Sequence, residues 1–217
     1  DCAEIVSAPF FDIWLRDTGP VVVRDTAGEP LALDYRGNGW GGKYPSPLDD
    51  DLARAAAVPL IFDVDYRPYS WPSAKVASEV YSRAAALCDV IVGNDVEFGF
   101  MAGDMGLGLD KARSLIADGA QIVVYKMGEN GAITLTADSE VRTGIFRTKA
   151  LKPTGAGDAF LGNLVASLSR DLPLTEAVLR GSAAAAIVVS RVGCAPAMPS
   201  GDELDAFLAA HSGPTLF

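Results

Sequence analysis

The sequence contains a single histidine, His211, among its 217 residues. This scarcity excludes histidine-rich metal sites, and a catalytic triad would have to use that one residue. The three cysteines, Cys2, Cys88 and Cys194, are odd in number and widely spaced, a pattern typical of reduced thiols that predicts a cytoplasmic protein. The longest apolar run, residues 183–189, is too short to span a bilayer.

Basic residues are outnumbered, because 18 lysines and arginines stand against 28 aspartates and glutamates and give a net charge of −10. A field of that sign repels a phosphate backbone, so no nucleic-acid partner is expected. The absence of a long apolar segment argues against a membrane partner as well. Apolar residues make up 49% of the chain, which excludes the disordered class. A homo-oligomer is compatible with this composition.

The sequence pattern changes near Pro59. Before it, turn and loop residues connect two short predicted strands, at 21–23 and 31–34, and a short helix is predicted at 49–57. After it, buried strands alternate with helices, which predicts an α/β fold with a mostly parallel sheet. The predicted elements there are strands at 60–64, 89–92 and 121–125, helices at 74–87 and 110–118, β-rich pieces at 132–136, 140–142 and 145–147, and helices beginning near Gly157, Thr175 and Ser200.

The most informative segment is a glycine turn at residues 152–158, which reads Lys-Pro-Thr-Gly-Ala-Gly-Asp and opens an apolar helix. Backbone N–H groups at such a turn point outward together and form an anion site that glycine leaves open to a phosphate. Asp158, at the helix start, can accept the proton of a substrate hydroxyl while those N–H groups hold phosphoryl charge. The alternative is a tight turn whose acid only complements the helix dipole.

Polar residues also follow three predicted strands, where an open α/β sheet binds its ligands. Asn94 and Glu97 offer an amide and a carboxylate, which suit water-mediated Mg²⁺ binding. Lys126 begins a second glycine loop that can face a nucleotide or form an ordinary turn. Arg67 can clamp a phosphate or carboxylate, or belong to a surface ion pair.

From about residue 59 onward the chain resembles the ribokinase-like (PfkB) carbohydrate kinases, through residues 63–68, residues 152–158 and the Asn-x-x-Glu spacing. The resemblance implies a three-layer, mostly parallel α/β fold, ATP and Mg²⁺ as cofactors with a monovalent cation, and a small sugar or sugar acid as acceptor. The family's N-terminal half, with its sugar-binding segments and β lid, has no counterpart before Pro59, so nucleotide binding is better supported than sugar phosphorylation.

The same resemblance implies residue roles. Asp158 would be the catalytic base, and the backbone of Gly155, Ala156 and Gly157 would be the anion hole. Asn94 and Glu97 match the family's motif for Mg²⁺ and phosphate. Its nucleotide loop is matched by Lys126, Gly128 and Gly131. The segment 190–195, which contains Gly193, resembles the loop that helps hold a monovalent cation and the nucleotide.

A different pattern occupies the beginning of the chain, where Asp12, Asp17 and nearby tryptophans can cradle a guanidinium group. The alternative is a tryptophan-anchored loop held by an Arg16–Asp17 ion network. The motifs Asp-x-Trp-x-Arg-Asp-x-Gly-Pro at 12–20 and Asn-x-Trp-Gly-Gly-Lys at 38–43 resemble agmatine deiminase and its peptidyl-arginine deiminase relatives. This likeness implies that Asp12 and Asp17 would line a guanidine site.

Deimination is nevertheless not expected. The family chemistry needs a nucleophilic cysteine and a histidine base, but Cys88 and Cys194 lie in kinase-like sequence and His211 has no matching motif. The sequence therefore predicts a composite of a deiminase-like fragment, residues 1–57, and a kinase-like nucleotide-binding part, residues 58–217, joined between Ser46 and Pro59. The alternative is a non-catalytic chimeric or designed chain, in which the N-terminal piece substitutes for missing sheet and no substrate site closes.

Overall fold

The computed structural model describes residues 21–24, 30–33, 59–67 and 71–214. Their strands form a seven-stranded sheet in which each strand lies beside its neighbours in sequence. The strands are β1 (Val21–Arg24), β2 (Pro30–Leu33), β3 (Leu60–Asp63), β4 (Val90–Asn94), β5 (Ile122–Lys126), β6 (Ala132–Leu135) and β7 (Glu140–Thr143). The helices are α1 (Ala74–Ala85), α2 (Asp95–Ala102), α3 (Gly108–Ala117), α4 (Ala156–Leu168), α5 (Leu174–Val189) and α6 (Gly201–Ala210).

The centre of the sheet is parallel and its margins are antiparallel. Strands β2, β3, β4 and β5 run parallel to one another, whereas β1 pairs with β2, β6 with β5 and β7 with β6 in antiparallel fashion. Helix α1 connects β3 to β4, and helices α2 and α3 connect β4 to β5, because a parallel pair cannot be joined by a tight turn. The predicted mostly parallel α/β fold is confirmed.

Helices cover both faces of the sheet. Phe62, Ile91 and Val123 point toward α1, α2 and α3 and are buried with them in one core. Their neighbours along the strands, among them Val92 and Val124, face α4 and α5 in a second core. Successive side chains of a strand point to opposite faces, so each apolar run supplies both cores and builds the predicted three layers.

Two predictions differ from the structure. Helix α2 has no counterpart among the predicted helices, because Phe98, Gly99, Phe100 and Met101 are all buried and leave no polar face to give the helical period. Residues 145–147, predicted to be β-rich, have no regular structure. Phe146 is buried there against α5 and α6, so its apolar character reflects loop anchoring.

The N-terminal predictions are tested only in part. Strands β1 and β2 occur where strands 21–23 and 31–34 are predicted. The turn between them, the glycine-containing motif at 38–43 and the helix at 49–57 lie outside the described residues. No helix within the described ranges combines the length and apolar character needed to cross a membrane.

Candidate functional site

The carboxyl ends of three central strands bring predicted site residues to one edge of the sheet. Asp63 ends β3 and pairs in register with Val92 of β4, while Asn94 at the end of β4 lies opposite Lys126 at the end of β5. This edge is where open α/β sheets bind ligands, because connecting loops and helix N-termini converge there. The predicted grouping of Asn94 with Lys126 is therefore present.

The glycine turn lies against this edge. Gly155 is the N-cap of α4 with φ of 88°, a left-handed conformation that glycine adopts without strain. The Lys126 Nζ atom lies 3.7 Å from the point that a Cβ atom on Gly157 would occupy and 5.7 Å from the centroid of the Phe160 ring. An ammonium group thus stands beside the first turn of α4, where backbone N–H groups lack helical partners.

Among the described residues Lys126 forms no ion pair within 4.0 Å, although its charge acts on the carboxylate of Asp63. The ion pairs found there involve arginines only. Its positive charge therefore adds to that of the helix N-terminus, and the electrostatic potential at this point favours an anion.

Asp158 stands in the first turn of α4, and its residue is exposed. The Cys194 thiol approaches it, with Sγ at 4.0 Å from Oδ2. Its carboxylate is thus accessible to a hydroxyl group brought to the glycine turn, the geometry that a general base requires.

Asn94 and Glu97 form a capping box at the start of α2. The Asn94 side chain accepts from the Glu97 backbone N–H at 2.9 Å, and Glu97 Oε2 accepts from the Asn94 backbone N–H at 2.7 Å. Glu97 Oε1 also accepts from the backbone N–H of Tyr66 at 3.2 Å, and the residue is only 7% exposed. Because both carboxylate oxygens hold backbone groups, this pair fits a metal ion through water better than by direct coordination.

Sequence reasoning missed Asp63 as a site residue. The pKa of Asp63 is raised to about 6, chiefly by burial; Lys126 acts in the opposite direction, and Glu97, Asp65 and Asp158 contribute smaller increases. Three carboxylates and one ammonium group therefore lie near enough to Asp63 to change its pKa. The available signal was an acid directly at the end of a buried apolar strand, a position that forces partial desolvation.

The glycines of the second loop differ in role. A Cβ atom on Gly131, which has φ of 84°, would overlap the carbonyl oxygen of Thr143, so packing against the end of β7 requires glycine there. Gly128 has φ of 57° and open space around it. The structure thus gives Gly131 a packing role, whereas the space beside Gly128 is open.

The remaining predicted residues occupy the border of this region. Arg67 pairs with Asp65 at 2.6 Å and both side chains are more than half exposed, which is the surface ion pair offered as the alternative to a phosphate clamp. Gly193 has φ of 120° and lies next to Cys194, which contacts the glycine turn. Within the described residues no cluster of three or more acidic, cysteine or histidine side chains is placed to hold a metal ion.

The deiminase-like residues Asp12 and Asp17 lie outside the described residues. Cys88 is buried in the core beneath α1 to α3, and His211 caps the end of α6 with its ring stacked on Phe207. Neither residue lies at the sheet edge where the site residues gather, whereas Cys194 lies beside the glycine turn.

Both parts of the composite match families of known proteins. Residues 1–70 match the family model of Porphyromonas-type peptidyl-arginine deiminase, and residues 49–201 match that of the pfkB family carbohydrate kinases. The 5-dehydro-2-deoxygluconokinase of Geobacillus kaustophilus is 38% identical over 165 residues, which cover 74% of this chain and 49% of the relative. The chain thus spans about half the length of the curated relatives it matches.

Solved structures show the same fold. Aminoimidazole riboside kinase from Salmonella enterica, complexed with aminoimidazole riboside and an ATP analog, has a TM-score of 0.65 and 30% identity over 73% of this chain and 55% of its own. A fructokinase double mutant from Vibrio cholerae, with fructose, ADP and a potassium ion bound, has a TM-score of 0.66 and 26% identity over 74% and 55%. With its glycine turn, its strand-end residues and a family match over residues 49–201, the chain belongs to the PfkB family of carbohydrate kinases.

Proposed function

We propose that the chain binds an adenine nucleotide and transfers its terminal phosphoryl group to a hydroxyl of a sugar or sugar acid. The observation that carries this proposal is the placement of the Lys126 ammonium group beside Gly157 at the N-terminus of α4. An anion is stabilised there by a helix N-terminus and a lysine at once. Relatives named as kinases, one solved with an ATP analog and one with ADP, support the nucleotide as the anion.

The proposed chemistry assigns a role to each part of the turn. Asp158 takes the proton of the acceptor hydroxyl as its oxygen attacks the terminal phosphorus, and the nucleoside diphosphate leaves on the opposite side. The backbone N–H groups of Gly155 and Gly157, with Lys126, hold the charge of the transferring group, whereas the Ala156 N–H donates to the Pro153 carbonyl oxygen at 3.2 Å. Positioning and charge neutralisation supply most of the rate in such reactions.

Mg²⁺ belongs to this proposal, and the residues present fit it as a hydrated ion. Glu97 and Asn94 lie at the same sheet edge as Asp63, and added positive charge there would offset the repulsion among its carboxylates. The bound ion would supply neutralisation of phosphate charge, with Glu97 and Asn94 holding its waters. A monovalent cation near Gly193 is supported by the potassium-bound fructokinase.

A second candidate is nucleotide binding without phosphoryl transfer. It is favoured by the chain's covering only about half of its curated relatives, 49% in the Geobacillus enzyme. An acceptor site needs residues that close over the sugar. The kinase-like part resembles the nucleotide-binding half of the family and provides only the sheet edge at which a nucleotide would bind. A cytoplasmic location is also proposed, since three cysteines that are odd in number and widely spaced in the sequence are typical of reduced thiols.

Titration calorimetry with ADP and Mg²⁺ tests the nucleotide site. We expect saturable binding, weakened about tenfold by Lys126→Met because a charge-assisted phosphate contact is lost. Lys75→Met, on the exposed surface of α1, is the matched control and should bind as the parent does. No heat at millimolar ADP, with a folded circular dichroism spectrum, would overturn the proposal.

Turnover separates the two candidates. ATP is supplied with a panel of sugars and sugar acids, and ADP release is followed by a coupled assay. Acceptor-dependent release supports the kinase, whereas ADP binding without release for any acceptor supports the binding protein. Absence of both contradicts each candidate.

A further inference from the structure

Arg191 makes two hydrogen bonds that tie a loop to a helix. The loop, residues 190–198, follows α5 and leads toward α6. One guanidinium nitrogen of Arg191 donates to the Ala197 carbonyl oxygen at 3.3 Å, and another donates to Glu203 Oε1 at 2.9 Å. Arg191 therefore joins the beginning of the 190–198 loop to its end and to the first turn of α6.

The anchor on α6 is itself well ordered by hydrogen bonds. Glu203 Oε2 accepts from the Ser200 backbone N–H at 2.9 Å, and the Ser200 hydroxyl accepts from the Glu203 N–H at 3.2 Å. The Ser200 backbone, and then Arg191, lower the pKa of Glu203. One carboxylate is thus shared between the helix cap and Arg191, so the loop is fixed to a capped helix rather than to a mobile side chain.

The middle of the same loop packs on the glycine turn. A Cβ atom on Gly155 would come within 2.9 Å of Cys194 Sγ and 3.5 Å of the terminal methyl of Met198. The next contact is between Cys194 and Asp158, at 4.0 Å. The position of the 190–198 loop therefore affects the shape of the site at the glycine turn, where the phosphate group would bind.

Few buried groups hold the loop in that position. Ala197 is 1% exposed, but Val192 is 78% exposed and Cys194 is exposed as well. Since apolar burial anchors only the Ala197 end, the placement of Gly193 and Cys194 depends on hydrogen bonds. The Cys194 carbonyl oxygen accepts from the Ala197 backbone N–H at 3.0 Å, and Arg191 supplies the two that tie the beginning of the loop to Ala197 and to α6.

We propose that Arg191 is a positioning residue, which holds the 190–198 loop against the Gly155 turn and so shapes the phosphate end of the nucleotide site. This inference rests on the proposed function for its effect on nucleotide, but the packing of the loop can be measured without any ligand. Arg191 touches neither the turn nor Asp158 itself; it acts through Gly193 and Cys194.

The test compares Arg191→Met with Arg180→Met. Arg180 also links α5 to α6, through Asp205 at 2.7 Å, but its pair does not include the loop. Both substitutions keep most of the aliphatic stem and remove one arginine–carboxylate pair. Two quantities are measured for each protein: ADP affinity by calorimetry, and the rate at which iodoacetamide alkylates Cys194, followed on its peptide by mass spectrometry.

In Arg191→Met, we expect iodoacetamide to alkylate Cys194 about fivefold faster and ADP to bind about fivefold more weakly. A change of this size corresponds to the loss of one ion pair of ordinary strength. Arg180→Met should match the parent in both. Glu203→Gln removes the negative partner of Arg191 and should reproduce the faster alkylation and the weaker ADP binding in part. It replaces Arg191→Met in the test if that variant does not fold.

The outcomes separate the inference from the proposed function. Unchanged alkylation in Arg191→Met and Glu203→Gln overturns the inference, as do equal increases in Arg191→Met and Arg180→Met, which indicate general loosening. If the parent binds no ADP, the proposed function fails while faster alkylation in Arg191→Met alone still supports the loop packing. Faster alkylation with unchanged ADP affinity overturns the claim that the loop shapes the nucleotide site.

Discussion

Replacing Asp63 by asparagine should stabilise the protein at neutral pH. In the folded chain the pKa of Asp63 is raised from 3.8 to about 6, chiefly by burial. Between these values the folded state holds a proton that the unfolded state has released, so stability falls as pH rises from about 4 to 6. A shift of about two units corresponds to about 3 kcal/mol in the free energy of unfolding.

Asparagine has nearly the same shape and cannot ionise, so this loss is absent in Asp63→Asn. The variant should match the parent below pH 4 and exceed it at pH 7.5 by up to about 3 kcal/mol. Urea unfolding followed by circular dichroism at pH 3.5, 5 and 7.5 measures the difference. Asp171→Asn, at an exposed position, is the control and should show no such trend.

A result of the opposite sign would refute the reasoning. If Asp63→Asn were less stable than the parent at pH 7.5, the attraction between Asp63 and Lys126 would outweigh the burial of the carboxylate. A constant difference at all three pH values would show that Asp63 contributes through shape or hydrogen bonding, and that its ionisation is ordinary.

Three further predictions concern the turn, the second loop and the core. Asp158→Asn should abolish phosphoryl transfer in the coupled assay yet change ADP affinity by less than about threefold, since it removes a base and no phosphate contact; equal loss of both would make Asp158 structural. Gly131→Ala should cost about 3 kcal/mol in urea unfolding because its Cβ overlaps a carbonyl of β7, whereas Gly128→Ala should cost about 1 kcal/mol. Leu164→Ala, fully buried between α4 and the sheet, should lose about 3 kcal/mol in the same assay without altering ADP affinity.

The elements that could be predicted from sequence are those marked by a local pattern, such as an apolar run or a capping box. Strands β3 to β5 are short apolar runs, and α6 begins at Ser200 with its capping box as predicted. Helix α2 has a box of the same kind, Asn94 with Glu97, but its fully buried body hides the helical period. Apolar residues at 145–147 mimic a strand because sequence alone does not distinguish sheet pairing from burial beneath α5 and α6.

The site follows the same division. Asp158 and the glycine turn are recognisable locally, because glycine spacing and a helix start occur within seven residues. The pKa of Asp63 depends on Lys126, 63 positions away in sequence, and on how deeply β3 is buried. The hydrogen bonds of Arg191 likewise depend on where α6 lies. Such features require the packed structure, since no local pattern encodes them.

The pairing of β2 with β3 has a consequence for the behaviour of the protein in solution. Strand β3 carries four mostly buried residues, Leu60–Asp63, and would be a bare sheet edge without β2. Bare apolar edges recruit strands from other molecules and lead to aggregation. Strand β2 of the deiminase-like segment covers that edge, so removing the segment to isolate the kinase-like part should yield a protein that aggregates at lower concentrations.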